Sequence, residues 1–144
     1  MTQKVAFENI AAHLEAGAGL AFACWQPVAE NRWCVGPVLA PFLTPLPRAT
    51  DGGPAPGPFV FGDVHRVTAV LESVGFGHVE GTADEQTLNV PRRAIVSVDQ
   101  LHAVPEVHLD VVTGAVEEVL APLARGDGTY DVPLAFWVFT AVLA

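Results

Sequence analysis

An α/β fold, a mixed sheet with flanking helices, is predicted by three features of the sequence. Two runs, Leu20 to Trp25 and Leu134 to Leu143, are apolar and aromatic without a single charge, as buried strands are. Several other stretches place their apolar residues at helical spacing. The third feature is the order of elements at the start: a helix, Lys4 to Ala16, runs through Gly17-Ala18-Gly19 straight into the first apolar strand. A nucleotide-binding α/β domain sets its glycine loop between a strand and the N-terminus of a helix. Here the glycines follow the helix, so they read as a C-cap and turn.

In that first helix Phe7, Ile10, Ala11 and Leu14 share a face, which should cover one side of the sheet. Leu20 to Trp25 is apolar at every position and should be buried on both faces with a neighbour on each edge. Gln26 to Pro58 is rich in proline and glycine and reads as a long loop or lid with one short helix near Val35 to Leu43. Asp63 stands at an N-cap position before Val67, Val70, Leu71 and Val74, and Gly75 closes that helix with Phe76 beside it. His78 to Val90 alternates weakly and reads as a strand of modest burial. Pro91 to Pro105 contains Ala94-Ile95-Val96-Ser97-Val98, equally readable as short strand or helix. Val112, Ala115, Val116, Val119, Leu120 and Leu123 form one stripe, giving a last helix from Glu106 to Ala124. Asp127-Gly128 makes a turn into the final strand.

A chain of 144 residues, half of them hydrophobic, suffices for one domain with a real core, residues 1–144. Its net charge of -9 with only 16% charged residues disfavours nucleic acid and anionic membrane, both of which need a basic footprint. No run approaches the roughly 20 apolar residues of a membrane span. The N-terminal stretch, with Lys4, Glu8 and Glu15, lacks the apolar core of a signal peptide, so a cytoplasmic location is expected. Cys24 and Cys34 are too few for a disulfide framework and read as free buried thiols.

Several pieces, in order, carry a resemblance. They are His13-Leu14-Glu15-Ala16-Gly17-Ala18-Gly19-Leu20-Ala21-Phe22-Ala23-Cys24-Trp25, then Asn31-Arg32-Trp33, then Gly57-Pro58-Phe59-Val60-Phe61-Gly62-Asp63. Ser73-Val74-Gly75-Phe76-Gly77-His78-Val79 and the ending Val132 to Ala141 complete the set. Together they resemble the C-terminal half of a class I S-adenosylmethionine-dependent methyltransferase of the small-molecule type. The resemblance implies a truncated Rossmann-like half-fold whose strands correspond to the last three of a sheet ordered 3-2-1-4-5-7-6. It also implies that the first four strands, which carry the cofactor loop and the ribose-binding acid in that family, are missing. No cofactor residue can be carried over, and S-adenosylmethionine is expected only with a complementing chain. Without the fourth strand, Leu20 to Trp25 becomes a bare apolar edge, which implies either a homodimer or a complementing methyltransferase N-terminal half joined there.

The residues that resemble the family's acceptor wall and lid are Trp25, Asn31, Trp33, Phe59 and Phe61. Aromatic side chains at the carboxyl end of a strand can enclose an apolar small molecule, and Asn31 can orient a polar group within it. The same residues can equally anchor the loop to the sheet. His65 and Arg66, at the start of the second long helix, can meet a polar ligand or stay solvated. His13, His65, His78, His102 and His108 are scattered without metal-ligand spacing, and no metal site is expected. Asp84-Glu85 and Glu117-Glu118 read as solvated faces, and Ser73 and Ser97 lack a nucleophile motif.

Three functions follow from this reading. The first is a methyltransferase-like acceptor-side half, not catalytic alone. The second is a repurposed small-molecule binding or cyclase-like homodimer without S-adenosylmethionine, and the third a truncated, self-associating remnant. No catalytic residue is assigned under any of them.

Overall fold

The computed structural model describes residues 3–43, 57–96 and 101–144. Its elements are α1 (Gln3–Ala11), β1 (Gly19–Trp25), α2 (Gly36–Leu39), α3 (Val64–Ser73), β2 (Phe76–Pro91), α4 (Leu109–Leu120) and β3 (Thr129–Leu143), with 3-10 turns at Ala40–Phe42, Arg92–Ala94, Glu106–His108 and Ala121–Leu123. The fold is α/β. The sheet has three strands in the order β1-β3-β2 and is antiparallel, where a mixed sheet was expected. Two compact units are distinguished: Met1–Pro27, Gly57–Asp84 and Ala135–Ala144 form the first, and Val28–Pro56 with Glu85–Leu134 the second.

In the first unit β1 pairs antiparallel with β3, from Gly19 opposite Val142 to Trp25 opposite Phe136. Leu20, Phe22 and Cys24 share a face with Ala141, Phe139 and Trp137. On that face pack Phe7, Ala11 and Leu14 from α1 and the turn after it, and Val67 and Leu71 from α3. Four phenylalanines knit the layers: Phe22 stacks on Phe139 at 5.2 Å between ring centroids, and Phe7 meets Phe22 at 5.5 Å and Phe61 at 5.9 Å. Each such pair adds about 0.5–1.5 kcal/mol beyond the area it buries.

The opposite face is bare by comparison. Ala21 and Ala23 of β1, and Thr140 and Val142 of β3, are exposed. The expectation that β1 is buried on both faces with a neighbour on each edge is therefore corrected: among the described residues it is an edge strand covered on one face.

The first helix is also shorter than the periodicity suggests, ending at Ala11 rather than Ala16. Ala12 N–H makes the last four-residue bond, to Glu8, after which His13 and Leu14 bond only three residues back. The His13 ring lies 2.7 Å from the Asn9 carbonyl, occupying one of the acceptors a helix end leaves open. Gly17 is thus no helix cap. It sits left-handed (φ +84°) in a turn closed by Ala18 N–H to Glu15 O, and its own N–H bonds Leu143 O.

Around α3 the sequence signals and the structure coincide. Asp63 Oδ1 accepts the N–H groups of His65 (3.0 Å) and Arg66 (3.2 Å), and Gly75 (φ +99°) ends the helix ahead of buried Phe76. Asp63→Ala is expected to lower stability by about 1 kcal/mol through the lost cap, read from a urea transition at unchanged slope. In β2 both Phe76 and Val79 join the core although three residues apart, which plain alternation forbids. Left-handed His78 (φ +50°) lies between them and takes up the extra residue.

The second unit is built on α4, whose Val112, Val116 and Leu120 are fully buried with Leu39 of α2, Val35, Ile95, Val96, Val104 and Val132. The short helix expected near Val35 to Leu43 is α2 with its following turn, and the last helix of the sequence reading is α4 with the turns on either side. Ala94 closes a 3-10 turn and Ile95 and Val96 enter the core, while Ser97 and Val98 lie outside the described residues, as does Thr44 to Pro56 of the expected lid. Arg125 N–H to Thr129 O and the Asp127 carboxylate accepting both Thr129 N–H and its hydroxyl form the turn into β3.

Candidate functional site

At the carboxyl end of β1, Trp25 alternates to the strand face opposite Leu20, Phe22 and Cys24 and pairs with Phe59. Trp25 and Phe59 are both half-buried, with ring centroids 6.4 Å apart and planes tilted by 50°. Phe59 belongs to the segment before α3, and that segment is tied down by side chains from three elements. Gln3 Nε2 donates to Val60 O (3.3 Å), the Cys24 thiol to Phe61 O (3.6 Å), and Trp137 Nε1 to Gly62 O (2.9 Å). Gly62 passes so close to the chain after β1 that a Cβ there would stand 3.0 Å from Pro27 N. A larger residue there would have to push the backbone of Pro27 and Phe59 back by a few tenths of an ångström.

Cys24 stays a thiol in this setting. Burial pushes it up to about 11, so at neutral pH it keeps its proton and donates to Phe61 O. Gln26 Nε2 donates to Phe136 O at 3.0 Å, which fixes the chain just past Trp25.

Of the other candidates in this unit, Phe61 lies against Phe7 and Phe22 at 5.9 and 6.5 Å, within the core layer. His65 is exposed in the first turn of α3. Arg66 Nη2 donates to Gln3 Oε1 at 2.6 Å, tying α3 to α1. Asn31 and Trp33 belong to the second unit. Asn31 is fully buried; its Oδ1 accepts from Trp33 Nε1 (3.1 Å), and its backbone bonds Val28 O and Cys34 N–H. Trp33 packs on the core that α4 organises.

Sequence reasoning did not single out Gln3, Gln26 or Trp137, which position this segment. For Trp137 a signal existed: an indole on the core side of a strand needs an acceptor for its N–H, and the Phe59–Gly62 turn offers carbonyls. The two glutamines gave none.

The Gly17-Ala18-Gly19 segment does not fit a cofactor loop. It follows a helix, and the Gly17 N–H is already used by Leu143 O. Among the described residues no three His, Cys, Asp or Glu side chains stand together where they could hold a metal ion, and no helix is long and apolar enough to cross a membrane. No protein-family model matches the chain, and no curated protein matches it.

Proposed function

We propose that this chain is the acceptor-side half of an S-adenosylmethionine-dependent small-molecule methyltransferase fold, binding an apolar acceptor against the Trp25–Phe59 pair and not catalytic alone. The observation that carries the reading is the sheet. The resemblance makes β1, β2 and β3 the family's fifth, sixth and seventh strands, and β1-β3-β2 is then the 5-7-6 end of that order, with β1 antiparallel to β3. α1 and α3 cover one face and leave Ala21, Ala23 and Val142 of the other exposed, with Trp25, Phe136 and Val138 half-buried, as a sheet awaiting a second helical layer would be. No residue here is assigned to the cofactor. S-adenosylmethionine would be brought by polypeptide outside these residues, placed across the β1 edge and the uncovered face.

Division of labour of this kind is physically reasonable because methyl transfer requires acceptor and methyl donor in line at near-contact distance, and each half holds one of them. The test is a ligand-observed NMR screen of small aromatic and phenolic compounds against the chain and Trp25→Ala. Saturable binding weakened at least tenfold in the variant, with an unchanged circular dichroism spectrum, is expected; a tenfold loss is about 1.4 kcal/mol, within what one lost aromatic wall can cost. Binding that ignores both Trp25→Ala and Phe59→Ala would place the acceptor elsewhere and sink the reading.

A further inference from the structure

Among the described residues no strand pairs with the outer side of β1, and the backbone groups of Gly19, Ala21 and Ala23 there say what can pair with it. Gln26 N–H bonds Ala135 O and Leu143 N–H bonds Ala18 O, in the same register as the β1–β3 pairs. Even-numbered residues of β1 therefore aim their N–H and C=O at β3, and odd-numbered ones aim them outward. Gly19, Ala21 and Ala23 present those outward groups, and all three are exposed. β1 carries no charge, no proline and no bulge to blunt its edge. The other outer strand, β2, carries Glu80, Asp84 and the left-handed His78 in its first-unit part.

We infer that the occupant of the β1 edge is a second copy of this chain, its β1 antiparallel to the first about a two-fold axis at Phe22. Three arguments select that partner. A main-chain edge takes only another strand. An antiparallel pair of identical strands is self-complementary: with Phe22 at the axis, Ala21 of one copy lies opposite Ala23 of the other on the exposed face, and the two Phe22 side chains are neighbours on the other face. Pairing β1 with the β2 edge of a neighbour would instead grow an open fibre, and the charges and left-handed His78 of β2 oppose it. The net charge of -9 does not interfere along the strand itself, which is uncharged.

The dimer joins two three-stranded sheets into one of six strands, with α1 and α3 of both copies on the same face. The inference stands on strand geometry and not on the acceptor reading. Where the two meet, they compete: a cofactor-bearing polypeptide across β1 has to displace the second copy.

Light scattering on a sizing column at micromolar concentration tests it, using the whole chain and two variants. Ala23→Pro removes an outward N–H and no β1–β3 hydrogen bond, and Ala21→Lys sets a charge on the edge while leaving every backbone group in place. The chain is expected at twice 15.2 kDa and both variants at 15.2 kDa with the same circular dichroism. A monomeric parent chain, or an Ala21→Lys chain that stays folded and dimeric, overturns the inference; the lysine variant decides should the proline variant fail to fold.

Discussion

Phe139→Ala is expected to cost about 3–5 kcal/mol of stability, the range for deleting a buried ring. Phe139 is fully buried at the centre of β3 in the first unit, directly opposite Phe22 in the β1 register and stacked on it at 5.2 Å. It lies in the layer that α1 and α3 share, so its removal empties space that neither helix can fill without leaving the other. A loss of that size is a large share of the total stability of a small domain. Equilibrium unfolding in urea, followed by tryptophan fluorescence, reads the effect. A change under about 1 kcal/mol would mean that the ring sits in a site able to collapse, contrary to the packing described.

Gly81→Ala is expected to cost about 1–3 kcal/mol, for the opposite reason of overpacking. A Cβ at Gly81 would stand 2.7 Å from Val64 Cγ2 and 2.8 Å from Phe139 Cε1, closer than carbon atoms approach. Val64 begins α3, immediately after the Asp63 cap, and the Phe139 ring is held on its far side by Phe22. The Val64 and Phe139 side chains have to leave their packed positions, or α3 and β2 have to separate. The mechanism makes a second prediction in the same experiment: Val64→Ala clears one of the two contacts, so the double variant Gly81→Ala/Val64→Ala should cost less than the sum of the singles. Simple additivity would show that the strain is taken up elsewhere.

Much of the fold was legible because local signals and tertiary packing agree. Asp63 and Gly75 bound α3 through backbone chemistry that depends on no distant contact, and the stripe of α4 buries the residues its spacing singles out. The end of α1 was not legible, since the glycine that looked like its cap serves the turn into β1 instead. Apolar character alone does not give the status of β1, an edge strand covered on one face. Its finer pattern held the answer: Leu20, Phe22 and Cys24 are large and covered, whereas Gly19, Ala21 and Ala23 are small and exposed, an alternation that marks a one-sided strand. The direction of strand pairing in the sheet depends on long-range contacts that no local pattern encodes.

The candidate residues divide for similar reasons. Trp25 and Phe59 come together because the turn around Gly62 folds back against Pro27, a close approach that only the absent Cβ reveals. Phe61, two residues further on, enters the phenylalanine layer. Asn31 and Trp33 bond each other in the second unit, and their side-chain hydrogen bond across two residues is a local link that spacing alone suggests but does not assign.

Calorimetric titration of S-adenosylmethionine into the chain by itself tests the central claim most directly, with an acceptor from the aromatic screen titrated in parallel. The acceptor-side reading predicts saturable heat with the acceptor and a flat trace with S-adenosylmethionine, because it assigns the cofactor to polypeptide outside this chain. Saturable micromolar binding of S-adenosylmethionine to the chain alone would contradict it.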